Sequence, residues 1–218
     1  MKLEGKNVYF LGDSITAGAG ASEEKNRFVN VFATLSGANV YNYGVGGTRI
    51  GVQKFPTLNF PEYDENFLIR AKKIGENADM VVVFGGTNDW GHGDIPIGDS
   101  ADCDETTFSG CLNLLCKYLS DRFGKEKLLF LTPLRRFGEE NAYGEGKKVV
   151  PSRPLCDYVT QIKEIVSSYK IDILDLYQSG LPKPEIKGLS EYSFDGTHPN
   201  DKGHYIIAKT IYDYLLSK

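Results

Sequence analysis

A serine, a histidine and an aspartate in this chain have the residue types that nucleophilic attack on a carbonyl carbon requires. Ser14 stands in "VYFLGDSIT", directly after a short apolar run, and Asp195 and His198 stand together in "FDGTHPN". A serine hydroxyl becomes a useful nucleophile when a general base accepts its proton, and a third group commonly orients that base. The spacing lets the Asp195 carboxylate fold back onto the His198 imidazole, so we expect His198 to deprotonate Ser14.

Each of these features also has a simpler interpretation. A second Gly-Asp-Ser tripeptide occurs at 98–100, in "IPIGDSAD", where no convincing strand precedes it, and we expect Ser100 to be an ordinary loop serine. Ser14 alone is as compatible with a turn at the end of a strand as with a nucleophile. Asp195 and His198 alone are compatible with a surface pair that has no partner. Other segments of the chain must therefore distinguish the catalytic interpretation from the simpler ones.

Two further segments offer hydrogen-bond donors for the oxyanion that forms during acyl transfer. "YNYGVGGTR" contains a glycine-rich turn that can present a backbone N–H, with Gly44, Gly46 and Gly47 as candidates. "VFGGTND" places the Asn88 side-chain amide after the most apolar strand-like run. The glycines are equally typical of a simple turn, and Asn88 of a helix cap or an Asx-turn.

The remaining histidines and motifs give weaker indications of a catalytic or binding role. His204, in "KGHYIIA", is expected to pack or cap within a helix, and His92, in "WGHGD", is expected on a solvated loop from which it could touch substrate. "GVGGTR" has Arg49 where a dinucleotide fingerprint needs its third glycine. The sequence contains no P-loop, no G-x-S-x-G motif and no cluster of metal-ligand residues. We expect neither a cofactor nor a metal.

Short apolar runs alternate with segments of helical periodicity along the chain. The strand-like runs are "KNVYFLG", "ANVYNYG", "DMVVVFGG", "KLLFLTP" and "IDILDLY". The helix-like segments are "RFVNVFATLSG", "ENFLIRAKKIGENA", "ETTFSGCLNLLCKYLSDRFG", "PLCDYVTQIKEIVSSYK" and "PNDKGHYIIAKTIYDYLL". Gly124 is predicted to end the third helix, and Pro199 to lie in the first turn of the last. The alternation predicts one α/β domain over residues 1–218, with a parallel sheet, helices on both faces and the ligand site at the carboxyl ends of the strands.

Composition narrows the class of partner. The chain has 218 residues and a net charge of −4, with no basic run of the kind that binds nucleic acid. No stretch is apolar enough for membrane insertion, and "MKLEGKNVYF" lacks the apolar core of a signal peptide. The cysteines form no CxxC pair and are expected to be reduced: Cys103, Cys111, Cys116 and Cys156. We expect a cytoplasmic protein whose partner is a small-molecule ester, although a sequence trimmed of a leader would look the same.

Four blocks, "GDSIT", "NYGVGG", "GGTND" and "DGTHPN", occur in this order and resemble the signature blocks of the SGNH hydrolases, the GDSL-type esterases and lipases. The resemblance implies a flavodoxin-like three-layer α/β/α sandwich with a parallel sheet of about five strands. It further implies that Ser14 is the nucleophile and that Asp195 and His198 complete a catalytic triad. The oxyanion donors would be the backbone N–H groups of Ser14 and Gly47 and the Asn88 amide, with Gly44 or Gly46 as the fallback for Gly47.

Three stretches without regular periodicity, 48–64, 90–104 and 135–153, each follow a strand end and are expected to crowd around one edge of the sheet. They contain several aromatic and arginine side chains: Phe55, Phe60, Tyr63, Trp90, Phe137, Tyr143, Arg49, Arg135 and Arg136. The candidate substrate contacts are Asp13, Arg49, Trp90 and His92. We expect a serine esterase that hydrolyses small acyl esters, above all acetyl esters of a carbohydrate. The alternatives are a thioesterase or lysophospholipase with the same triad, and a non-catalytic carbohydrate-binding protein on this fold.

Overall fold

The computed structural model of the chain describes residues 2–146, 148 and 153–218. Over these residues the chain forms five strands, all paired in parallel in one sheet of order β2-β1-β3-β4-β5. The strands are β1 Asn7–Gly12, β2 Asn39–Gly44, β3 Met80–Phe84, β4 Leu128–Leu131 and β5 Asp172–Leu174. The five-stranded parallel sheet expected from the sequence is confirmed.

The connections between the strands run through helices, as parallel pairing requires. The helices are α1 Ser14–Ala17, α2 Phe28–Ser36, α3 Phe67–Ala71, α4 Thr87–His92, α5 Phe108–Phe123, α6 Leu155–Ser168, α7 Leu176–Ser179 and α8 Asp201–Leu216. Short 3₁₀ turns occupy Glu24–Asn26, Pro61–Asp64 and Lys125–Lys127. Among the described residues, no helix has both the length and the apolar character that crossing a membrane requires.

Successive residues of the strands supply two separate apolar layers. In β1, Val8 and Phe10 pack into the layer that contains α2 and α8, whereas Tyr9 and Leu11 pack into the layer that contains α3, α5 and α6. The central strand β3 is buried at every residue, because helices cover both of its faces. The molecule is therefore the three-layer α/β/α sandwich that the sequence predicts.

Two boundary predictions are wrong, and one is confirmed. The helix predicted in "ENFLIRAKKIGENA" ends at Ala71, after which the bonds Lys73 N–H to Arg70 O and Ile74 N–H to Ala71 O continue the chain as turns toward β3. Pro199 lies outside the last helix, whose N-cap is the side chain of Asn200. Gly124 ends α5 with φ of 83°, a conformation that favours glycine.

Candidate active site

The carboxyl ends of β1, β2 and β3 lie side by side, and each is followed by a segment that the sequence singles out. In the register of the sheet, Gly12 of β1 pairs with Gly44 of β2 and with Phe84 of β3. Ser14 follows the first strand, the Gly46–Gly47 turn follows the second, and Asn88 follows the third. Parallel pairing thus gathers residues from distant parts of the sequence at one edge, where ligands of open α/β sheets bind.

A sharp strand-to-helix turn presents Ser14. A Cβ atom built on Gly12 would lie 2.0 Å from Thr16 Oγ1 and 2.8 Å from the carbonyl oxygen of Phe84, so only glycine fits there. Oδ1 of Asp13 then accepts the backbone N–H of Ile15 at 3.0 Å and caps α1. Ser14 is the first helical residue, and an N–H in the first turn of a helix has no partner within that helix. The turn therefore leaves both the hydroxyl and the backbone N–H of Ser14 available to a ligand.

Ser14, His198 and Asp195 form a continuous chain of hydrogen bonds. Oγ of Ser14 lies 2.9 Å from Nε2 of His198, and Nδ1 of His198 lies 2.7 Å from Oδ2 of Asp195. Since a carboxylate only accepts hydrogen bonds, Nδ1 carries the proton and the Nε2 lone pair faces the Ser14 hydroxyl. This is the geometry of a nucleophile beside an oriented base.

The Asp195 carboxylate is held by its own loop. Its Oδ1 accepts the backbone N–H groups of Thr197 at 2.9 Å and of His198 at 2.7 Å. Partial burial raises the pKa of Asp195, but the hydrogen bonds from the His198 backbone and ring outweigh that effect and leave the pKa below its ordinary value. Asp195 is therefore ionised at neutral pH and fixes the tautomer and orientation of His198.

Two candidate hydrogen-bond donors, Gly47 and Asn88, follow the neighbouring strands and line the same cavity as Ser14. Gly47 has φ of 72°, and a Cβ atom there would lie 2.6 Å from the Tyr63 ring. Nδ2 of Asn88 donates to the carbonyl oxygen of Thr48 at 2.9 Å, which orients the amide and uses one of its two N–H groups. Gly46 and Gly47 line the same cavity as Ser14. Gly44 packs instead against α1, where a Cβ atom would lie 2.1 Å from the backbone nitrogen of Ala17.

A cavity of about 680 Å³ opens over these groups. Ser14, Gly47, Asn88, Asp195 and His198 all contribute to its wall. Each of the three irregular stretches also contributes, as expected: the side chains include Tyr63, Trp90, His92, Arg136, Phe137, Asn141 and Glu145. Phe55, Phe60 and Tyr143 are exposed side chains outside this wall. The cavity is thus lined by both aromatic and charged groups.

His92 is not the solvated loop residue that the sequence predicts. It is the last residue of α4 and lines the cavity, and its Nδ1 accepts a hydrogen bond from Nη1 of Arg49 at 2.8 Å. Burial, together with the Arg49 guanidinium, lowers the pKa of His92 to about 4. The expectation failed because the helix carries the ring into the wall of the site.

Arg136 is a cavity residue that connects two parts of the site. Its Nη1 donates to Oγ1 of Thr87 at 2.9 Å, and its Nη2 donates to Oγ1 of Thr197 at 2.9 Å and to Oε1 of Glu145 at 2.6 Å. The guanidinium also lies 4.8 Å from the ring centroid of Trp90. Thr87 and Thr197 immediately precede Asn88 and His198, so one buried cation bridges α4 and the loop that carries Asp195 and His198.

Of the four candidate substrate contacts, Trp90 and His92 line the cavity, whereas Asp13 and Arg49 lie behind its wall. Asp13 is 2 % exposed, and burial raises its pKa to about 6 despite the N–H of Ile15. Trp90 is also almost fully buried, and its Nε1 donates to the carbonyl oxygen of Asn141 at 3.1 Å. Most of the indole therefore packs inside the protein, although Trp90 contributes to the cavity wall.

The remaining candidates fall where the simpler interpretations place them. Oγ of Ser100 donates to Oε1 of Glu164, away from the cavity, at 2.8 Å. His204 is fully buried, with Nδ1 accepting the backbone N–H of Phe28 and Nε2 facing the carbonyl oxygen of Ala19.

The sequence does not indicate that Glu145, Asn141 and Thr197 line the cavity, because nothing in an irregular polar loop shows which side chain turns inward. Within the described part of the chain, no three His, Cys, Asp or Glu side chains are grouped as a metal site requires.

Solved structures share this architecture. A Lactobacillus plantarum protein is 28% identical with a TM-score of 0.77, over 99% of this chain and 98% of that one. A lipase/acylhydrolase from Enterococcus faecalis is 21% identical with a TM-score of 0.65, over 97% and 96%. A carbohydrate acetylesterase family member from Sinorhizobium meliloti is 14% identical with a TM-score of 0.65, over 97% and 98%. At their low identity the last two establish the fold alone.

Comparison of the sequence with curated proteins finds no match. The model of the GDSL-like Lipase/Acylhydrolase family, in contrast, matches residues 10–206. That range begins within β1 and ends within α8, so it includes all four sequence blocks and every residue of the hydrogen-bonded chain described above. The chain belongs to the GDSL-like lipase/acylhydrolase family.

Proposed function

We propose that the chain is a serine hydrolase of small acyl esters that works through an acyl-enzyme on Ser14. The observation that carries the proposal is the uninterrupted hydrogen-bond chain from Ser14 through His198 to Asp195. It opens into a cavity that Gly47 and Asn88 also line. Nucleophile, oriented base and oxyanion donors thus surround one space, which is what acyl transfer requires.

In the first half-reaction, Oγ of Ser14 attacks the ester carbonyl carbon while Nε2 of His198 accepts the hydroxyl proton. Asp195 stabilises the imidazolium that forms. The negative charge that develops on the carbonyl oxygen is met by the backbone N–H groups of Ser14 and Gly47 and by the second N–H of Asn88. Collapse of the tetrahedral intermediate breaks the bond to the alcohol oxygen, which takes the proton from His198.

In the second half-reaction, water takes the place of the alcohol. His198 removes a proton from the water, whose oxygen attacks the acyl carbon of the Ser14 ester. The same donors stabilise the second tetrahedral intermediate. Its collapse releases the carboxylic acid and returns the proton to Ser14 Oγ, so the site is ready for another ester.

We infer that the acyl group is small and that the alcohol is a carbohydrate. The wall combines aromatic side chains with groups that bind hydroxyls, including Tyr63, Asn141 and Glu145. Sugars are bound by this mixture, whereas a long acyl chain needs a continuous apolar groove. One fold relative is described as a carbohydrate acetylesterase family member, which agrees with this choice of substrate but concerns that protein.

Hydrolysis of nitrophenyl acetate tests the proposal. The wild-type chain should release nitrophenol, and Ser14→Ala should lower kcat by at least ~10³-fold, because the nucleophile is gone. Ser100→Ala is the matched control, since it changes the serine of the second Gly-Asp-Ser tripeptide and should retain full activity. Full activity in Ser14→Ala, or its loss in Ser100→Ala, would refute the assignment.

Two further measurements separate the alternatives. A fluorophosphonate should label Ser14 covalently, as peptide mass spectrometry can show; a carbohydrate-binding protein without catalysis would remain unlabelled. A nitrophenyl ester series from acetate to decanoate should show kcat/KM falling with chain length. A preference for decanoate would favour a lipid substrate, and faster turnover of acetyl thioesters than of oxygen esters would favour a thioesterase.

A further inference from the structure

The cavity wall contains an imidazole that the proposed mechanism does not use. His92 lines the cavity at the end of α4, on the side where Arg49, Tyr63 and Gly47 also meet. A Cβ atom on Gly47 would touch the Tyr63 ring, and the carbonyl oxygen of Tyr63 accepts from Nη2 of Arg49 at 3.2 Å. His92 is thereby tied to the side of the cavity that carries the oxyanion glycine.

Arg49 is held in place by burial and by several partners. Its side chain is almost completely buried and forms an ion pair with Asp64, whose Oδ1 lies 3.3 Å from Nη2. The following backbone is anchored as well, because the Asp89 carboxylate accepts the N–H groups of Ile50 at 3.1 Å and of Gly51 at 2.7 Å. The guanidinium is therefore a fixed donor behind the cavity wall.

The Arg49 donor determines the tautomer and protonation state of the His92 imidazole. A guanidinium has only N–H donors, so Nδ1 of His92, 2.8 Å from Nη1 of Arg49, must be the unprotonated acceptor. A neutral imidazole then carries its single proton on Nε2, on the ring edge away from Arg49. Protonation of Nδ1 would direct two donors at each other, and in agreement the pKa of His92 lies at about 4 because of burial and the Arg49 charge. Among the described residues, no group accepts a hydrogen bond from Nε2.

We propose that the Nε2–H of His92 donates a hydrogen bond to an uncharged oxygen on the alcohol part of the bound ester, with Arg49 as the residue that positions the ring. The proposal rests on the proposed function. If the acyl group is small, its carbonyl oxygen is its only strong acceptor apart from the ester oxygen, and the oxyanion donors take it. A further acceptor must then belong to the alcohol.

The chemistry of the wall favours a hydroxyl or ring-ether oxygen over an anion. The His92 ring is neutral, and its charged surroundings include both signs: Arg49, Glu145, Arg136 and Lys148. The carboxylate of Glu145 lines the same cavity and can accept from a hydroxyl, while His92 can only donate. A wall with both kinds of group fits an alcohol that carries several oxygens, such as a sugar or a polyol.

Three acetates of matched size test the proposal on the purified full chain. Cyclohexyl acetate has no extra acceptor, tetrahydropyran-4-yl acetate adds a ring oxygen, and trans-cyclohexane-1,2-diol monoacetate adds a hydroxyl. The readout is the ratio of kcat/KM for an oxygenated acetate to that for cyclohexyl acetate within each variant, so that a general loss of activity cancels. The wild type should prefer at least one oxygenated ester by about 5- to 10-fold, the effect of one hydrogen bond.

Two substitutions of His92 test whether an N–H at the Nε2 position causes the preference. His92→Asn retains an acceptor toward Arg49, but its shorter side chain leaves the amide N–H short of the Nε2 position, so the preference should fall to about 1. His92→Gln can place an amide N–H near the position of Nε2 and should restore part of the preference. An unchanged preference in His92→Asn, or no preference in the wild type, would overturn the proposal. Activity that survives Ser14→Ala would instead overturn the proposed function.

The tautomer has a readout that is independent of activity. Nitrogen-15 NMR of the imidazoles, with His92 assigned by the loss of its signals in His92→Gln, should show a protonated Nε2 and an unprotonated Nδ1 between pH 5 and 8. Arg49→Met, which removes the donor, should change this pattern. A protonated Nδ1 in the wild type would contradict the role assigned to Arg49.

Discussion

Nη2 of Arg136 lies 2.9 Å from Oγ1 of Thr197, the residue immediately before His198. The same guanidinium reaches Oγ1 of Thr87, immediately before Asn88, through its other terminal nitrogen. One buried cation therefore links the base of the proposed triad to the side-chain donor of the proposed oxyanion hole. We expect Arg136 to act on them through Thr87 and Thr197, as a positioning residue.

Replacement of Arg136 by methionine should therefore lower kcat more than it raises KM. Methionine keeps much of the apolar volume against Trp90 but removes the hydrogen bonds that join the two loops. We expect a loss of kcat of roughly 10- to 100-fold, because small displacements of reacting groups cost that much. Steady-state kinetics with nitrophenyl acetate measure both constants.

Arg135→Lys is the control for Arg136→Met, since it changes the preceding arginine outside the cavity and keeps the charge beside Glu139. Its kinetic constants should stay within about twofold of the wild type, because lysine keeps a donor for Glu139, which also accepts the backbone N–H of Arg136. If Arg136→Met changes only KM, Arg136 contacts substrate and does not position the site.

Asp195→Asn should lower kcat by roughly 10²- to 10⁴-fold while the fold is retained, because an asparagine amide facing Nδ1 favours the wrong tautomer of His198. The asparagine Oδ1 can still accept the backbone N–H groups of Thr197 and His198, which limits damage to the loop. Kinetics and thermal unfolding should be measured together. A variant that unfolds at the wild-type temperature and keeps more than half of the wild-type kcat would show that Asp195 does not orient the base.

Asp13→Asn should be stabilising, and increasingly so from pH 4 to pH 7. Burial raises the pKa of Asp13 from its ordinary value of 3.8 to about 6, so between these values the unfolded chain releases a proton that the folded chain keeps. This group's contribution to the free energy of unfolding is present below about pH 4 and is lost as the pH rises through about 6. Asparagine does not titrate in this range, so the variant does not lose this contribution to stability, and its side chain can still cap α1.

Chemical denaturation at several pH values measures the effect. The free energy of unfolding of Asp13→Asn relative to the wild type should rise by up to about 3 kcal/mol over this window, from ~1.4 kcal/mol for each pKa unit. Asp121→Asn, which removes an exposed partner of Lys117, should change stability by less than about 1 kcal/mol. A difference between Asp13→Asn and the wild type that does not vary with pH would contradict the prediction.

Gly47→Ala should damage both stability and catalysis. The left-handed backbone costs an alanine roughly 1–2 kcal/mol. Its Cβ would lie 2.6 Å from the Tyr63 ring, so the turn that carries the proposed oxyanion donor must shift. Gly5→Ala is a matched control, because Gly5 has the same φ of 72° with no atom within 4 Å of the new Cβ. Thermal unfolding should show a smaller loss in Gly5→Ala, and nitrophenyl acetate kinetics should show a loss of kcat in Gly47→Ala alone. Equal effects of the two substitutions would exclude Gly47 from the oxyanion hole.

Local sequence patterns were sufficient to predict the elements and the residues at the ends of the strands. An apolar run such as "DMVVVFGG" must be buried on both faces, so β3, and Asn88 directly after it, could be placed before any coordinates. Parallel pairing then brings Ser14, Gly47 and Asn88 to one edge without further information. Helix ends were predicted less well, because α3 ends where the chain turns back toward β3 and not where its helical pattern ends.

The sequence by itself thus determined the sheet, its carboxyl edge and the four blocks that meet there. Only the tertiary structure decided the walls of the cavity. The bond from Arg49 to His92 joins residues 43 apart in the sequence, and the bond from Arg136 to Thr197 joins residues 61 apart. Such contacts depend on irregular loops held by buried carboxylates, as Asp89 holds the N–H groups of Ile50 and Gly51. Hydrogen bonds between residues far apart in the chain have no period in the sequence, so the folded chain alone shows which loop residues turn toward the cavity.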